Sequence, residues 1–289
     1  YASAARAIAK KRHDPIARAR ADVLSASAQI EQAGELTGDQ ARRKHRALLA
    51  SAEKLLAASE QDFAAASLPI DQIAALTFRG VSLWSARNAD EARAAFVSAA
   101  DLARTNKDAF SEVRALGNLA WLDFERADVH AAAAEYERLL EIIERDRQPD
   151  LYASHVANYG LCLVSLGEFD RALQLHNEAL EMFARLHDDN GRAKQLLAIG
   201  GLLLRSGDPE RALDTLQASL ALLEQQKDQF AVESVLRLAG NAAAHIGDSS
   251  LALSYHSGLL KRTLDRRTAL LTKILVAGDL RSLGRLDGA

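Results

Sequence analysis

Eight histidines, one cysteine and 39 carboxylates are the side chains here that could hold a metal, attack a carbonyl or pass protons. The histidines, at 13, 45, 130, 155, 176, 187, 245 and 256, are scattered, and no HExxH pair occurs. His176 and His256 lie 80 residues apart at equivalent points of a repeated pattern, which marks a packing position. Stacked helices step by about 10 Å, so these two cannot share a metal. Cys162 sits in the apolar stretch YGLCLVSLG and reads as a small buried hydrophobe rather than a reactive thiol. A lone cysteine also excludes an intrachain disulfide and a Cys-based zinc cluster. No phosphate-cradling loop, dinucleotide fingerprint, nucleophile elbow or calcium loop is present. The carboxylates fall on helix exteriors and helix starts, where they complement the dipole, and ERDRQPD and LHDDNGR read as solvated turns. The expectation is a chain with no catalytic residue, no metal and no cofactor within these residues. Lys194, Arg205 and Arg237 remain, because nothing in a Leu/Ala core needs them. They suit an acidic peptide or a C-terminal carboxylate, or else are ordinary surface charge.

Positioning any such groups falls to helices. Nearly half of the 289 residues are hydrophobic, aromatics make up 5%, and only four prolines occur, so the composition favours an all-α fold. No run approaches the roughly 20 apolar residues of a membrane span. The net charge of −3 conceals a split: residues 1–60 carry a balance of +4, residues 261–289 again +4, and the stretch between them −11. An acidic middle gives phosphate backbones little reason to bind, so nucleic acid is not expected as a partner. The basic start, RAIAKKRHDPIARAR, reads as a solvated helix face.

Small residues recur at a step of 40: Gly80, Ala120, Gly160, Gly200 and Gly240, each followed twelve residues later by Ala92, Ala132, Ala172, Ala212 and Ala252. Between them stand the turns RNAD, ADVH, GEFD, GDPE and GDSS. In the fourth, Gly207 ends one helix, Asp208 caps the next and Pro209 takes its first position. Two antiparallel helices approach closely only where side chains are small. Leu76, Leu116, Val156, Leu196 and Leu236 stand one turn before each landmark. Each pair leaves an apolar face that only its neighbour covers, so the units must stack.

The stretches NYGLCLVSLGEFDRALQLHNEALEMF (158–183), AIGGLLLRSGDPERALDTLQASLALL (198–223) and LAGNAAAHIGDSSLALSYHSGLL (238–260) resemble the tetratricopeptide repeat. The usual family period is 34, and the period of 40 here is similar to the longer-helix branch found in kinesin light chain and many bacterial regulators. The likeness covers about 73–284. Departures are Leu or Val where an early aromatic is usual, Arg87 and Ala127 in place of turn glycines, and Asp123 and Ala243 at usually bulky positions. The resemblance implies a right-handed α-solenoid of stacked antiparallel helix pairs whose first helices line a concave face. On that face it would place Arg114, Trp121, Phe124, Glu125, Lys194, Arg205, Arg237, Asn241 and His245, with Trp84 and Trp121 open to a second role as core fillers. It implies a non-catalytic scaffold for a protein, a peptide or a domain of its own full-length chain. The phrasing is similar to arrays that precede CHAT-type peptidase domains, and equally to arrays in ATPase-type transcription activators and in diguanylate cyclases, which suggests the regulatory part of a larger bacterial protein. The alternative is a peptide-sensing regulator whose closure on a ligand switches an attached domain.

Before residue 66 the period is not visible, and two long helices over 15–34 and 39–66 are expected to cap residues 67–289, an array of five full repeats and a truncated sixth. SLPID and DRQPD are the clearest breaks. The start at Tyr1 and the lone first helix before Gly284 suggest a sequence cut from a longer chain, with a cytoplasmic setting expected.

Overall fold

The computed structural model describes residues 2–36, 41–224 and 228–284, and every regular element in those stretches is a helix. The chain divides into two compact units, Tyr1–Glu144 and Arg145–Ala289, at the DRQPD break. In the first unit come α1 (Ala2–Arg12), α2 (Pro15–Gly34), α3 (Ala41–Ala65), α4 (Pro69–Ser85), α5 (Ala89–Thr105), α6 (Ala109–Glu125) and α7 (Val129–Ile142). In the second come α8 (Pro149–Leu166), α9 (Phe169–Arg185), α10 (Asp189–Arg205), α11 (Pro209–Leu223), α12 (Gln229–Ile246), α13 (Ser249–Arg262) and α14 (Arg266–Ser282). Within each unit every helix packs on the next, and alternate helices also touch, α2 on α4, α4 on α6 and α10 on α12. This is an all-α helical-repeat solenoid. The turn ELTGD falls mostly outside the described residues.

One local device makes the turns. Ser67, Arg87, Lys107 and Ala127 in the first unit, and Gly167, His187, Gly207 and Gly247 in the second, have φ between 55° and 91°. The left-handed conformation reverses the chain at the end of a helix. The next residue is commonly an aspartate: Asp108, Asp128, Asp188, Asp208 and Asp248 each accept a hydrogen bond from a backbone N–H in the first turn of the following helix, and Asp228 caps α12 in the same way. Such a cap contributes about 1 kcal/mol. Arg87 and Ala127 therefore hold the same turn as the glycines, without glycine's freedom.

The 40-residue landmarks are the points of closest approach within a helix pair. A Cβ placed on Gly80 would lie 2.5 Å from the ring of Phe96, and one on Gly200 2.6 Å from Leu216 Cγ. Gly160 and Gly240 are packed the same way by His176 and His256. The five alanines from Ala92 to Ala252 are completely buried. Leu76, Leu116, Val156 and Leu236 are buried as well, while Leu196 is half-buried.

The start of the chain is less simple than a single basic helix face. α1 stops at Arg12, His13 takes φ 54°, and Asp14 caps α2, which opens on Pro15. Three of its four arginines pair with carboxylates of neighbouring helices. Arg6 pairs with the buried Asp22, Arg18 with Asp62, and Arg20 grips Asp71 through two bonds of 2.9 and 2.7 Å. These ties join α1, α2, α3 and α4.

Candidate functional site

The first helices of the pairs carry all nine residues that the sequence picks out as candidate binding groups. In the first unit these helices are α4 and α6. Trp84 packs on the cluster of Leu83, Phe96 and Leu119, edge-on to Phe96 with centroids 6.5 Å apart. Its indole Nε1 donates to Glu125 Oε2 at 2.9 Å, which ties the two helices together at their C-terminal ends. Beside it opens a cleft of about 550 Å³ lined by Val81, Trp84, Leu122, Glu125, Arg87 and Arg126. Trp121 and Phe124 are half-buried with centroids 5.5 Å apart, and the Arg114 guanidinium lies 5.8 Å above the ring of Phe110. Trp84 is therefore both core filler and cleft wall.

In the second unit, α8 and α10 enclose a polar pocket of about 290 Å³, lined by Ser154, Asn158, Asp188, Asn190, Lys194 and Gln195. The groups at its back are occupied. Asp188 caps α10, and the buried Gln195 accepts a hydrogen bond of 2.8 Å from His176 Nδ1. Burial pushes the His176 pKa below its ordinary value, partly offset by that bond. The groups at its mouth are not occupied: the side chains of Asn158 and Lys194 make no hydrogen bond or ion pair with another described residue. An amide and an ammonium facing one small pocket can hold a peptide backbone and a carboxylate.

The other cations separate from Lys194. Arg205 lies eleven residues on, about 16 Å along α10, with its guanidinium stacked 4.4 Å over Phe169. Arg237, Asn241 and His245 recur every four residues on α12, so they share one face, and His245 Nδ1 donates to the Asn241 carbonyl at 2.8 Å. The nine residues picked from the sequence thus fall into separate groups. Arg114, Trp121, Phe124 and Glu125 line α6, Lys194 and Arg205 stand three turns apart on α10, and the rest lie on α12. Ser154, Asn158, Asn190 and Gln195 complete the pocket around Lys194; Ser154 and Asn158 are legible in the sequence as inner-face positions, and Asn190 and Gln195 are not. A count of polar side chains on successive first helices, which turns up Asn118, Asn158 and Asn241, was the available signal. Among the described residues, no group of three or more His, Cys, Asp or Glu side chains is placed to hold a metal, and no helix is long and apolar enough to cross a membrane. Cys162 is buried, and burial pushes its thiol up to about 12.

Stacked helix hairpins with small crossing residues and capped turns define a helical-repeat protein. Residues 151–225 match the family model of the tetratricopeptide repeat, and the helix hairpins before and after them share its fold. A search of the curated proteins finds no match. Among solved structures, the chain is similar to BtubC (BKLC) from P. vanneervenii at 17% identity, covering 94% of each chain with a TM-score of 0.57. It is similar to the tetratricopeptide-sensor STAND protein PH0952 from Pyrococcus horikoshii at 12% identity and a TM-score of 0.75, covering 94% of this chain but 41% of that one. The apo form of the quorum sensor NprR from B. thuringiensis matches at 12% identity and a TM-score of 0.62, over 95% of this chain and 82% of the other. At these identities the likeness is one of fold.

Proposed function

We propose that this chain is a non-catalytic scaffold that binds a protein or peptide along the exposed faces of its first helices, as the sensory or regulatory part of a larger bacterial protein. The single observation that carries the reading is the pocket between α8 and α10, where Asn158 and Lys194 face outward with no partner among the described residues. Asn158 supplies a donor and an acceptor to a peptide bond, and Lys194 supplies a charge to an acidic side chain or a free C-terminus. Tetratricopeptide domains are also the sensor part named in the STAND protein, and NprR is named as a quorum sensor, which supports a regulatory role. The long helices α2 and α3, with α1 before them, act as a cap on the array in this reading, and the ligand belongs to a cytoplasmic protein or to another domain of the same chain.

Calorimetric titration with a panel of peptides carrying free or amidated C-termini tests it. Lys194→Ala and Asn158→Ala should each weaken binding roughly tenfold, and the preference for a free carboxylate should vanish in Lys194→Ala. Peptides that bind equally well to both variants would show that the pocket is not the site. A second reading, a sensor that closes on its ligand, is favoured if the radius of gyration falls on binding.

A further inference from the structure

We infer that the cleft between the C-terminal ends of α4 and α6 binds a carboxylate carried on an aromatic ring, at a site independent of the pocket between α8 and α10. Its volume of about 550 Å³ falls in the range of small-ligand sites. It is no end face of the array, because α3 packs on α4 and α7 packs on α6. Val81, Ala89, Leu122 and the Trp84 ring form its apolar lining.

The second unit has an equivalent place, 80 residues on, and there the chain supplies a ring of its own. Phe169 opens α9 as Ala89 opens α5, and both are half-buried. The guanidinium of Arg205, at the position equivalent to Glu125, lies 4.4 Å over the Phe169 ring. In the first unit a methyl group replaces that ring, and Trp84 stands where the second unit has Val164. Glu125 covers no ring at Ala89; it accepts the Trp84 indole N–H at 2.9 Å. An aromatic ring arriving at Ala89 therefore finds the room that Phe169 takes up in the second unit, with an indole to pack against.

Charge decides what that ring carries. Of the charged side chains lining the cleft, Glu125 is engaged by Trp84, and Arg126 pairs with Asp90 of α5 at 2.6 Å. Arg87 makes no hydrogen bond or ion pair with another described residue, and it stands where the second unit has Gly167. A guanidinium offers two parallel donors to a carboxylate, whereas an ammonium would meet it with repulsion. The first unit has thus lost a ring and gained an open cation at one spot, and an aromatic acid supplies what is missing on both counts. The free C-terminal phenylalanine of a peptide and a free aromatic acid share this chemistry.

Trp84 fluorescence reports binding, in a Trp121→Phe background because the chain holds two tryptophans. The probes are phenylpropionate and the peptide acetyl-Gly-Gly-Phe, each compared with its C-terminal amide. At least one acid should bind about tenfold or more tightly than its amide, and the tighter of the two acids identifies the source. Arg87→Gly should erase the preference for the acid, and Ala89→Phe should abolish the response to every probe. Both variants write residues of the second unit into the first, and their urea midpoints check that they fold. Lys194→Ala should leave the response unchanged, so this site and the pocket between α8 and α10 stand or fall separately. No saturable response to either acid, or acids and amides bound equally well, overturns the proposal without any variant. So does a response that survives in folded Ala89→Phe or disappears in Lys194→Ala.

Discussion

Replacing Gly200 by alanine separates the two opposed effects of a small residue at a helix crossing. In a helix interior, alanine is favoured over glycine by about 1 kcal/mol. Here the new methyl would sit 2.6 Å from Leu216 Cγ and 2.8 Å from Cδ2, and Leu216 is completely buried. The branch carbon cannot swing aside as a chain end could, so overpacking of about 1–3 kcal/mol follows. The net change for Gly200→Ala is a loss of about 0–2 kcal/mol. Leu216→Ala alone should lose about 2–5 kcal/mol. In that background the clash is gone, and adding Gly200→Ala should restore about 1 kcal/mol. The sign of the same substitution thus reverses, and the coupling equals the steric part alone. Gly278→Ala, where nothing lies within 4 Å, is the control and should stabilise by about 1 kcal/mol. Urea unfolding followed by far-UV circular dichroism reads all five proteins. Midpoints rather than extrapolated free energies are compared, because repeat arrays lose two-state behaviour. If Gly200→Ala raises the midpoint as much as Gly278→Ala does, the crossing is not close and the packing argument fails.

Two further outcomes follow from the turns and the buried histidines. Ala127→Gly should stabilise the chain by about 1 kcal/mol and Gly207→Ala should cost a similar amount, because both positions hold φ in the left-handed range, 63° and 81°; equal midpoints for both variants would contradict the shared turn. Burial lowers the His155 pKa from 6.5 to about 4, so the unfolded chain takes up the proton first. Stability should therefore fall as pH drops from about 6.5 towards 4, by at most about 3 kcal/mol. His155→Leu should flatten that slope, leaving the part due to His176, and an undiminished slope would rule the assignment out.

The architecture was legible because its determinants are local and repeated. A turn residue, a capping aspartate and a small crossing residue each act within one hairpin, so copying them at a fixed step writes the fold openly. Asp208 and Pro209 open α11 as their types require. The aspect that stayed hidden at this level is that Arg87 and Ala127 adopt the glycine conformation. Residue type predicted a departure, but the flanking helices and the following cap hold the turn regardless. Likewise the basic start looked like a free face, since its carboxylate partners Asp62 and Asp71 lie more than 40 residues away in sequence.

Binding groups were harder to recognise for the same physical reason: whether a polar side chain is free depends on helices distant in the chain. Lys194 and Arg205 look alike on paper, yet Arg205 finds the ring of Phe169 one pair earlier and Lys194 finds no charge to pair with. The histidine slot shows how far register decides such outcomes. His176 meets Gln195, nineteen residues on, whereas His256 at the same place in its pair meets Asp279, twenty-three residues on. The cap of α14, Asp265, comes three residues earlier than the 40-residue step from Asp228 would put it, so α14 leaves the register of the array and position within the repeat no longer names the histidine's partner.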